Sequence, residues 1–121
     1  MIGSYRFAKQ KGMQGRFAGV TIRAEAGDFD GVRWNPVVTH FLRAEYGGEV
    51  AAGVADARRW HLARGGTDAL IEVIQIETFP VDTTPDAVRL AATAAAWKAL
   101  GNSGDELLFD HHGDVWRLID D

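Results

Sequence analysis

The 121-residue sequence predicts one α+β domain, a two-layer sandwich of two helices on a sheet, followed by a C-terminal β-hairpin. Apolar and polar side chains alternate through several segments near the start of the chain, which is the spacing of half-buried strands. Two later segments repeat apolar residues at helical spacing, with a strand-like segment between them. The predicted order of elements is therefore β-β-β-α-β-α, and then the hairpin.

Three strands come first, over residues 5–10, 16–26 and 32–38. Two glycines in residues 11–15 favour a turn between the first two strands, because glycine adopts positive φ without strain. The segment DFDG at residues 28–31 predicts a plain turn, since a calcium-binding loop needs glycine at its sixth position and glutamate at its twelfth. Pro36 places the third strand at a sheet edge or a bulge, because proline donates no backbone hydrogen bond.

The first helix is predicted to begin between Arg43 and Glu49 and to end at Gly65. Four residues form its apolar side: Val50, Val54, Ala57 and His61. The histidine is interpreted as a structural residue of that face. Residues 69–78 are apolar on most of both faces, which is typical of a central strand.

The second helix has the clearest boundaries in the sequence. Thr84 is a good N-cap, Pro85 suits the first helical position, and Gly101 ends the helix. Its many alanines allow the helix axis to lie close to its neighbours, because a methyl group is a short spacer. Residues 107–109 and 115–119 then flank a turn and predict the hairpin.

The composition excludes several classes of protein. The chain has no cysteine, which excludes disulfides, thiol catalysis, iron–sulfur clusters and cysteine zinc sites. The first residues lack the apolar core of a signal peptide, and the longest low-polarity run, residues 90–97, is far shorter than the roughly 20 residues that cross a bilayer. We therefore expect a cytoplasmic protein without a membrane attachment.

Charge is distributed unevenly along the chain, although the net charge is only −4. Residues 1–24 carry a net charge of +5, and residues 102–121 carry −5. Such asymmetry is typical of a binding face, but it also arises where two chain ends lie together in the fold and neutralise each other.

Three segments in register resemble domain IV of the translation factors elongation factor G and elongation factor 2. Residues 9–20, KQKGMQGRFAGV, are similar to RQSGGRGQYGHV of that family. Glu45, Tyr46, Val50 and the pair at residues 53–54 match EYIPAVxxGI without a gap. Residues 81–92, VDTTPDAVRLAA, are similar to VDSSExAFKLAA. The resemblance spans residues 7–100 of the chain.

The resemblance implies a β3-α-β-α sandwich of the ribosomal protein S5 domain 2-like type, with a left-handed βαβ crossover. That handedness is implied by the family alone, since parallel crossovers are right-handed in about 98% of cases. Residues 102–121 have no counterpart in the family. They are predicted to cover a surface that other domains cover in the full-length factors.

The departures from the family bear on function. The chain contains no GxxxxGK[ST] sequence, so it lacks the phosphate-binding loop of the factors' GTPase. Phe79 and Pro80 stand where the family has a histidine and an aspartate on a loop about four residues longer by our alignment. Met13 and Gln14 replace a glycine and an arginine in the first turn. We therefore do not expect this chain to act as a translocase.

Basic and aromatic residues around the first turn are the best binding candidates. Cations beside an exposed aromatic ring suit RNA, through phosphate contacts and base stacking. The alternative is a basic strand edge that prevents edge-to-edge aggregation. The candidates for RNA or partner binding are Lys9, Lys11, Gly12, Gln14, Gly15, Arg16, Phe17 and Phe79.

His111 and His112 are the only motif that suggests a metal. Adjacent histidines on a strand point to opposite faces, and a metal site needs several convergent ligands, so a turn is the favoured interpretation. No catalytic motif is present. We expect a non-catalytic module with no cofactor and no metal that binds RNA or the ribosome. The alternatives are a protein-interaction or homo-oligomerising domain and, less favoured, a small enzyme with its site at these histidines.

Overall fold

The second helix lies at the centre of the architecture in the computed structural model, which describes residues 1–119 except for the side chain of Lys11. The described part is a mixed α+β structure with a four-stranded sheet, two long helices and a separate two-stranded hairpin. The elements are β1 (Ile2–Lys11), β2 (Gln14–Ala26), β3 (Val32–Trp34), α1 (His40–Ala63), β4 (Ala69–Glu77), α2 (Pro85–Ala99), a 3₁₀ turn (Gly104–Glu106), β5 (Leu107–Asp110) and β6 (Val115–Leu118).

The strand order in the sheet is β1-β2-β4-β3. β1 pairs antiparallel with β2, β2 pairs antiparallel with β4, and β3 pairs parallel with β4. β4 is an inner strand, as its apolar composition predicts, and β3 is an edge strand, as Pro36 indicates. The predicted α+β class, with two helices on a sheet, and the C-terminal hairpin are confirmed.

Four predicted boundaries are wrong. β1 begins at Ile2 rather than at residue 5. β3 ends at Trp34 rather than residue 38, because the Asn35 side chain accepts a hydrogen bond from the Val37 amide at 3.0 Å and turns the chain out of the sheet. The turn between β1 and β2 has two residues instead of five, with Gly12 at φ 62°. α1 begins earlier than predicted, at His40, since the hydroxyl of Thr39 accepts from the Leu42 amide at 3.3 Å and caps the helix.

α2 is buried on nearly every side, and only Pro85, Asp86, Arg89 and Lys98 within it are not fully buried. A helix that is apolar all round is stable in water only when other elements surround it. The sheet covers one side of α2, α1 a second and the hairpin a third. The hairpin covers its side with Trp116, whose indole N–H donates to the Leu90 carbonyl at 2.8 Å.

Glycines allow α2 to approach its neighbours closely. A Cβ added to Gly53 of α1 would lie 2.4 Å from the carbonyl oxygen of Arg89, and one added to Gly3 of β1 would lie 2.3 Å from that of Ala95. Real Cβ atoms do not approach carbonyl oxygens so closely. The alanines of α2 and these two glycines therefore act together, because they let backbones touch at places where side chains normally keep them apart.

No helix in residues 1–119 is long and apolar enough to cross a membrane. This agrees with the short apolar runs of the sequence.

Replacement of Gly53 by alanine is predicted to destabilise the fold by about 2 kcal/mol, because the added methyl group must push α1 away from α2. Gly48 is a matched control on the exposed side of α1, where an added Cβ meets nothing within 4 Å. Gly48→Ala is predicted to stabilise the protein by about 0.5–1 kcal/mol through helix propensity. Chemical denaturation of both variants tests this. An unchanged free energy of unfolding in Gly53→Ala would contradict the close packing of α1 on α2.

Candidate nucleic-acid interface

The β1–β2 hairpin and the loop between β4 and α2 meet at one end of the sheet. Both belong to segments that resemble elongation factor domain IV. The amide of Phe17 donates to the carbonyl of Asp82 at 2.9 Å, which joins the β1–β2 hairpin to the loop between β4 and α2. Gly15 permits this approach, since a Cβ there would lie 3.0 Å from a carboxylate oxygen of Asp82. Residues 9–17 and 79–82 are called the tip below.

Two aromatic rings stack at the tip. The ring centroids of Phe17 and Phe79 lie 4.3 Å apart, and their planes differ by 18°. The Phe79 side chain remains 51% exposed, so it presents aromatic surface to solvent. The loop that carries it is held by the hydroxyl of Thr83, which accepts from the Phe79 amide at 2.8 Å. This hydrogen bond therefore helps to hold Phe79 in place against Phe17.

Arg16 differs from its predicted role. Its side chain is 5% exposed, and one guanidinium nitrogen donates to the carboxylates of both Asp86 and Asp114 at 2.8 Å. The guanidinium also lies over the ring of Phe7, 5.4 Å from its centroid. The prediction of Arg16 as an exposed cation for RNA is thus corrected, because this arginine is an internal group that ties β2 to the start of α2 and to the hairpin turn.

The remaining predicted residues lie together at the tip. Lys9 is half-buried, with its ammonium 5.6 Å from the centroid of the Phe109 ring. The side chain of Lys11 lies outside the described part of the structure. Gly12 and Gln14 are exposed, and Gly15 is half-buried. The alternation of β1 and β2 places Lys9 on the helix side of the sheet with its pairing partner Arg16, whereas Phe17 faces the opposite side.

Large apolar residues that the sequence analysis did not select are also exposed at the tip. Met13 in the turn is 98% exposed and Val81 in the facing loop is 85% exposed. Exposed apolar residues next to a glycine turn give no periodic signal in a sequence, so only the meeting of the two loops identifies this surface.

The charge asymmetry of the chain has a structural explanation. Arg16 pairs with Asp114 of the C-terminal hairpin, so the two chain regions do lie together. Two other early cations, Arg6 and Arg23, instead pair with Glu77 and Glu72 of β4 on the open face of the sheet. Neutralisation of the basic segment thus comes from β4 as well as from the tail.

The histidines have separate environments. Nε2–H of His61 donates to the Thr67 carbonyl and Nδ1 accepts from the Asn102 amide, both at 2.9 Å, so this ring is a structural link. His111 and His112 are exposed in the hairpin turn, where the Asp110 carboxylate accepts from the His112 amide at 2.9 Å. Among residues 1–119, no three histidine, aspartate or glutamate side chains converge as metal ligands.

Comparisons with known proteins locate the fold. No protein-family model matches the chain, and no curated protein matches it significantly. It is similar to a crystal structure of the Thermus thermophilus protein ttk003000868, with a TM-score of 0.62 and 22% sequence identity. The match covers 80% of this chain and 15% of that protein. At this identity the likeness shows a shared fold with a small part of that protein, and it agrees at that level with the resemblance that the sequence indicates.

Replacement of Arg16 by methionine is predicted to destabilise the protein by roughly 2 kcal/mol or more, since two carboxylates then lose their shared buried cation. Arg23→Met is the control, because that arginine is 42% exposed and pairs at the surface with Glu72, where a change of at most about 1 kcal/mol is expected. Urea denaturation measures both, and equal effects would show that burial of Arg16 contributes nothing.

Stability is predicted to depend on pH through Asp110. Hydrogen bonds from Arg117 and from the backbone amides of Gly113 and His112 lower the pKa of its carboxyl group from 3.8 to about 2. A lowered folded-state pKa stabilises the protein above pH 4, and that contribution is lost as the pH falls toward 2. Asp110→Asn should therefore lose less unfolding free energy than the natural chain between pH 5 and pH 2.5. If urea titrations show that both proteins lose the same unfolding free energy over this pH range, the role of Asp110 is refuted.

Proposed function

We propose that this chain is a non-catalytic, cytoplasmic binding module related to elongation factor G domain IV, and that it contacts structured RNA, such as that of the ribosome, through the tip. The observation that carries the proposal is the Phe17–Phe79 stack near the β1–β2 turn, in which Phe79 is 51% exposed and Phe17 is half-buried. An aromatic face stacks on any base, which contributes about 1–3 kcal/mol per base. Lys9 on the other side of the same hairpin would supply a phosphate contact, and the sequence supplies Lys11 as a second cation next to the turn.

The shape of the tip supports this proposal. The β1–β2 turn is only two residues wide, and a Cβ added to Gly12 would meet nothing within 4 Å, so its backbone is open to a ligand. Gln14 follows the turn as the exposed first residue of β2, where its side-chain amide donates to the Gly15 carbonyl at 3.0 Å and its amide oxygen can accept from a ligand. A narrow projection with lysines and an aromatic platform suits a groove or an unpaired loop of RNA.

We further propose that the domain has the ribosomal protein S5 domain 2-like topology with a left-handed crossover between β3 and β4. Support comes from the strand order β1-β2-β4-β3 and from the parallel pairing of Val32 with Ile71 in adjacent strands. The module is proposed to be neither a GTPase nor a translocase, because the phosphate-binding loop and the longer histidine-bearing tip loop of the factors are absent from the sequence.

A second candidate is a protein partner or self-association at the tip. Met13 and Val81 support it, since both are almost fully exposed beside the aromatic pair. Exposed apolar residues that cluster are typical of protein contacts. The burial of Arg16 removes one cation from the surface and adds weight to this alternative.

Filter binding with ribosomes and with structured RNA across a salt series tests the first candidate. The natural chain should bind, and its affinity should fall as salt rises because phosphate contacts release counterions. Lys11→Glu should weaken binding and flatten the salt dependence, while Phe79→Ala should weaken it about tenfold or more at every salt concentration.

Two controls match these variants. Arg43→Glu makes the same charge change on the exposed side of α1, and Ile2→Ala removes a 57%-exposed apolar side chain at the opposite end of β1. Neither should alter RNA binding. Absence of binding at low salt would refute the RNA proposal. Binding to ribosomes that resists salt and is lost in Met13→Asp would establish the protein-partner candidate instead, and light scattering would detect self-association.

A further inference from the structure

A cleft lies on the helix side of the molecule, between α1, α2 and the C-terminal hairpin. Its volume is about 390 Å³, within the range of small-molecule sites. Leu90, Thr93 and Trp116 are its most buried lining residues, and Trp60 and Val115 line it with more exposed side chains. Two tryptophans, a leucine and a valine therefore give the cleft an apolar interior.

Hydrogen bonds hold two polar side chains of the cleft lining in place. The hydroxyl of Thr93 donates to the Arg89 carbonyl at 2.9 Å, and the indole N–H of Trp116 donates to the Leu90 carbonyl at 2.8 Å. The close contact of Gly53 with α2 sets the spacing of the two helices that form the walls. A cleft built this way is preformed, so a ligand does not need to order it.

Two arginines share one carboxylate at the rim. Asp56 accepts from Arg59 at 3.3 Å and from two nitrogens of Arg89 at 3.1 and 2.9 Å. Arg59 is 65% exposed and Arg89 48% exposed, so both guanidinium groups have surface left for a ligand. One carboxylate between two cations leaves a charge of +1 at this end, which attracts an anion.

The other charged lining residues decide which anion fits. Asp86 and Asp114 also line the cleft, and the two carboxylates share the one cation of Arg16, which leaves a net charge of −1 there. A ligand with two negative charges would be repelled there, whereas a single carboxylate placed between Arg59 and Arg89 is not. Guanidinium groups also match the planar geometry of a carboxylate.

We propose that this cleft binds a small aromatic monocarboxylate, with its ring system against Trp60 and Trp116 and its carboxylate at Arg59 and Arg89. The site shares no residue with the tip that is proposed to bind RNA. Its chemistry is recognition only, because the described lining residues include no nucleophile with an adjacent base.

Nuclear magnetic resonance titration of the ¹⁵N-labelled protein tests the proposal, with the indole N–H signals of Trp60 and Trp116 as reporters. The probes are 2-naphthylacetate, 2-naphthylethylamine and 2-naphthyl phosphate, which share one ring system and differ in charge. The carboxylate should shift both signals saturably, and the amine and the dianionic phosphate should bind at least tenfold more weakly. Equal or tighter binding of the amine or the phosphate would overturn the assignment, as would absence of carboxylate binding.

Variants of the two arginines test where the carboxylate of the ligand binds. Arg89→Gln should weaken naphthylacetate binding about tenfold, the usual loss of one charge-assisted hydrogen bond. Arg6→Gln is the control. Arg6 is exposed and paired with a carboxylate, like Arg89, but its partner is Glu77 and it lies on the open face of the sheet. Arg59→Gln is a second variant of the same site with a more exposed side chain, should Arg89→Gln fail to fold. Unchanged binding in a folded variant of either arginine would refute the proposed orientation.

Discussion

The close approach of α2 to its neighbours is the constraint on which the rest of the structure depends. α2 lies against β1 through Gly3 and against α1 through Gly53, and at both points an added methyl group would meet backbone atoms. Backbone contacts of this kind leave no room for adjustment by side-chain rotamers. They fix the distance between the helices, and so the width of the cleft between α1 and the hairpin. The Thr84 cap fixes where α2 begins, and that start sets the position of Asp86, which pairs with Arg16.

Arg16 connects α2 and the C-terminal hairpin to the tip. Its guanidinium is shared by Asp86 at the start of α2 and Asp114 in the hairpin turn, so a strand, a helix and the tail meet at one cation. A buried cluster of charges contributes little net stability compared with apolar packing, but its directional hydrogen bonds specify one arrangement of its members. The tip is therefore anchored from below by charge and joined to the β4–α2 loop by the contact of Phe17 with Asp82. The proposed RNA-binding surface lies on a rigid base.

Local signals in the sequence are sufficient for most of the fold. Thr84, Pro85 and Gly101 each act on the chain next to them, and the boundaries of α2 follow from them. The start of α1 could not be predicted in the same way, because Gly47 and Gly48 lower helix propensity while the Thr39 cap and packing on α2 outweigh that cost. The alternation of β2 places Arg16 on the same face as Val20 and Ile22, but no local pattern shows what neutralises its charge, since its partners lie 70 and 98 residues away. The two loops of the tip are far apart in the sequence, so their contact could not be read from either loop alone, and the cleft residues come from three elements whose meeting no pattern encodes.

The hairpin contact has a consequence for synthesis of the protein on the ribosome. Trp116 and Leu118 complete the surroundings of α2, yet they are made after every strand of the sheet and both helices. Until they emerge, the side of α2 that carries Leu90 has no cover, and the carboxylate of Asp114 is not yet available to Arg16. The nascent chain therefore completes its core only when the hairpin makes contacts of long sequence separation, which is a slow class of folding step. Apolar surface that is exposed during that interval is prone to aggregation, and the hairpin is the element that ends this exposure.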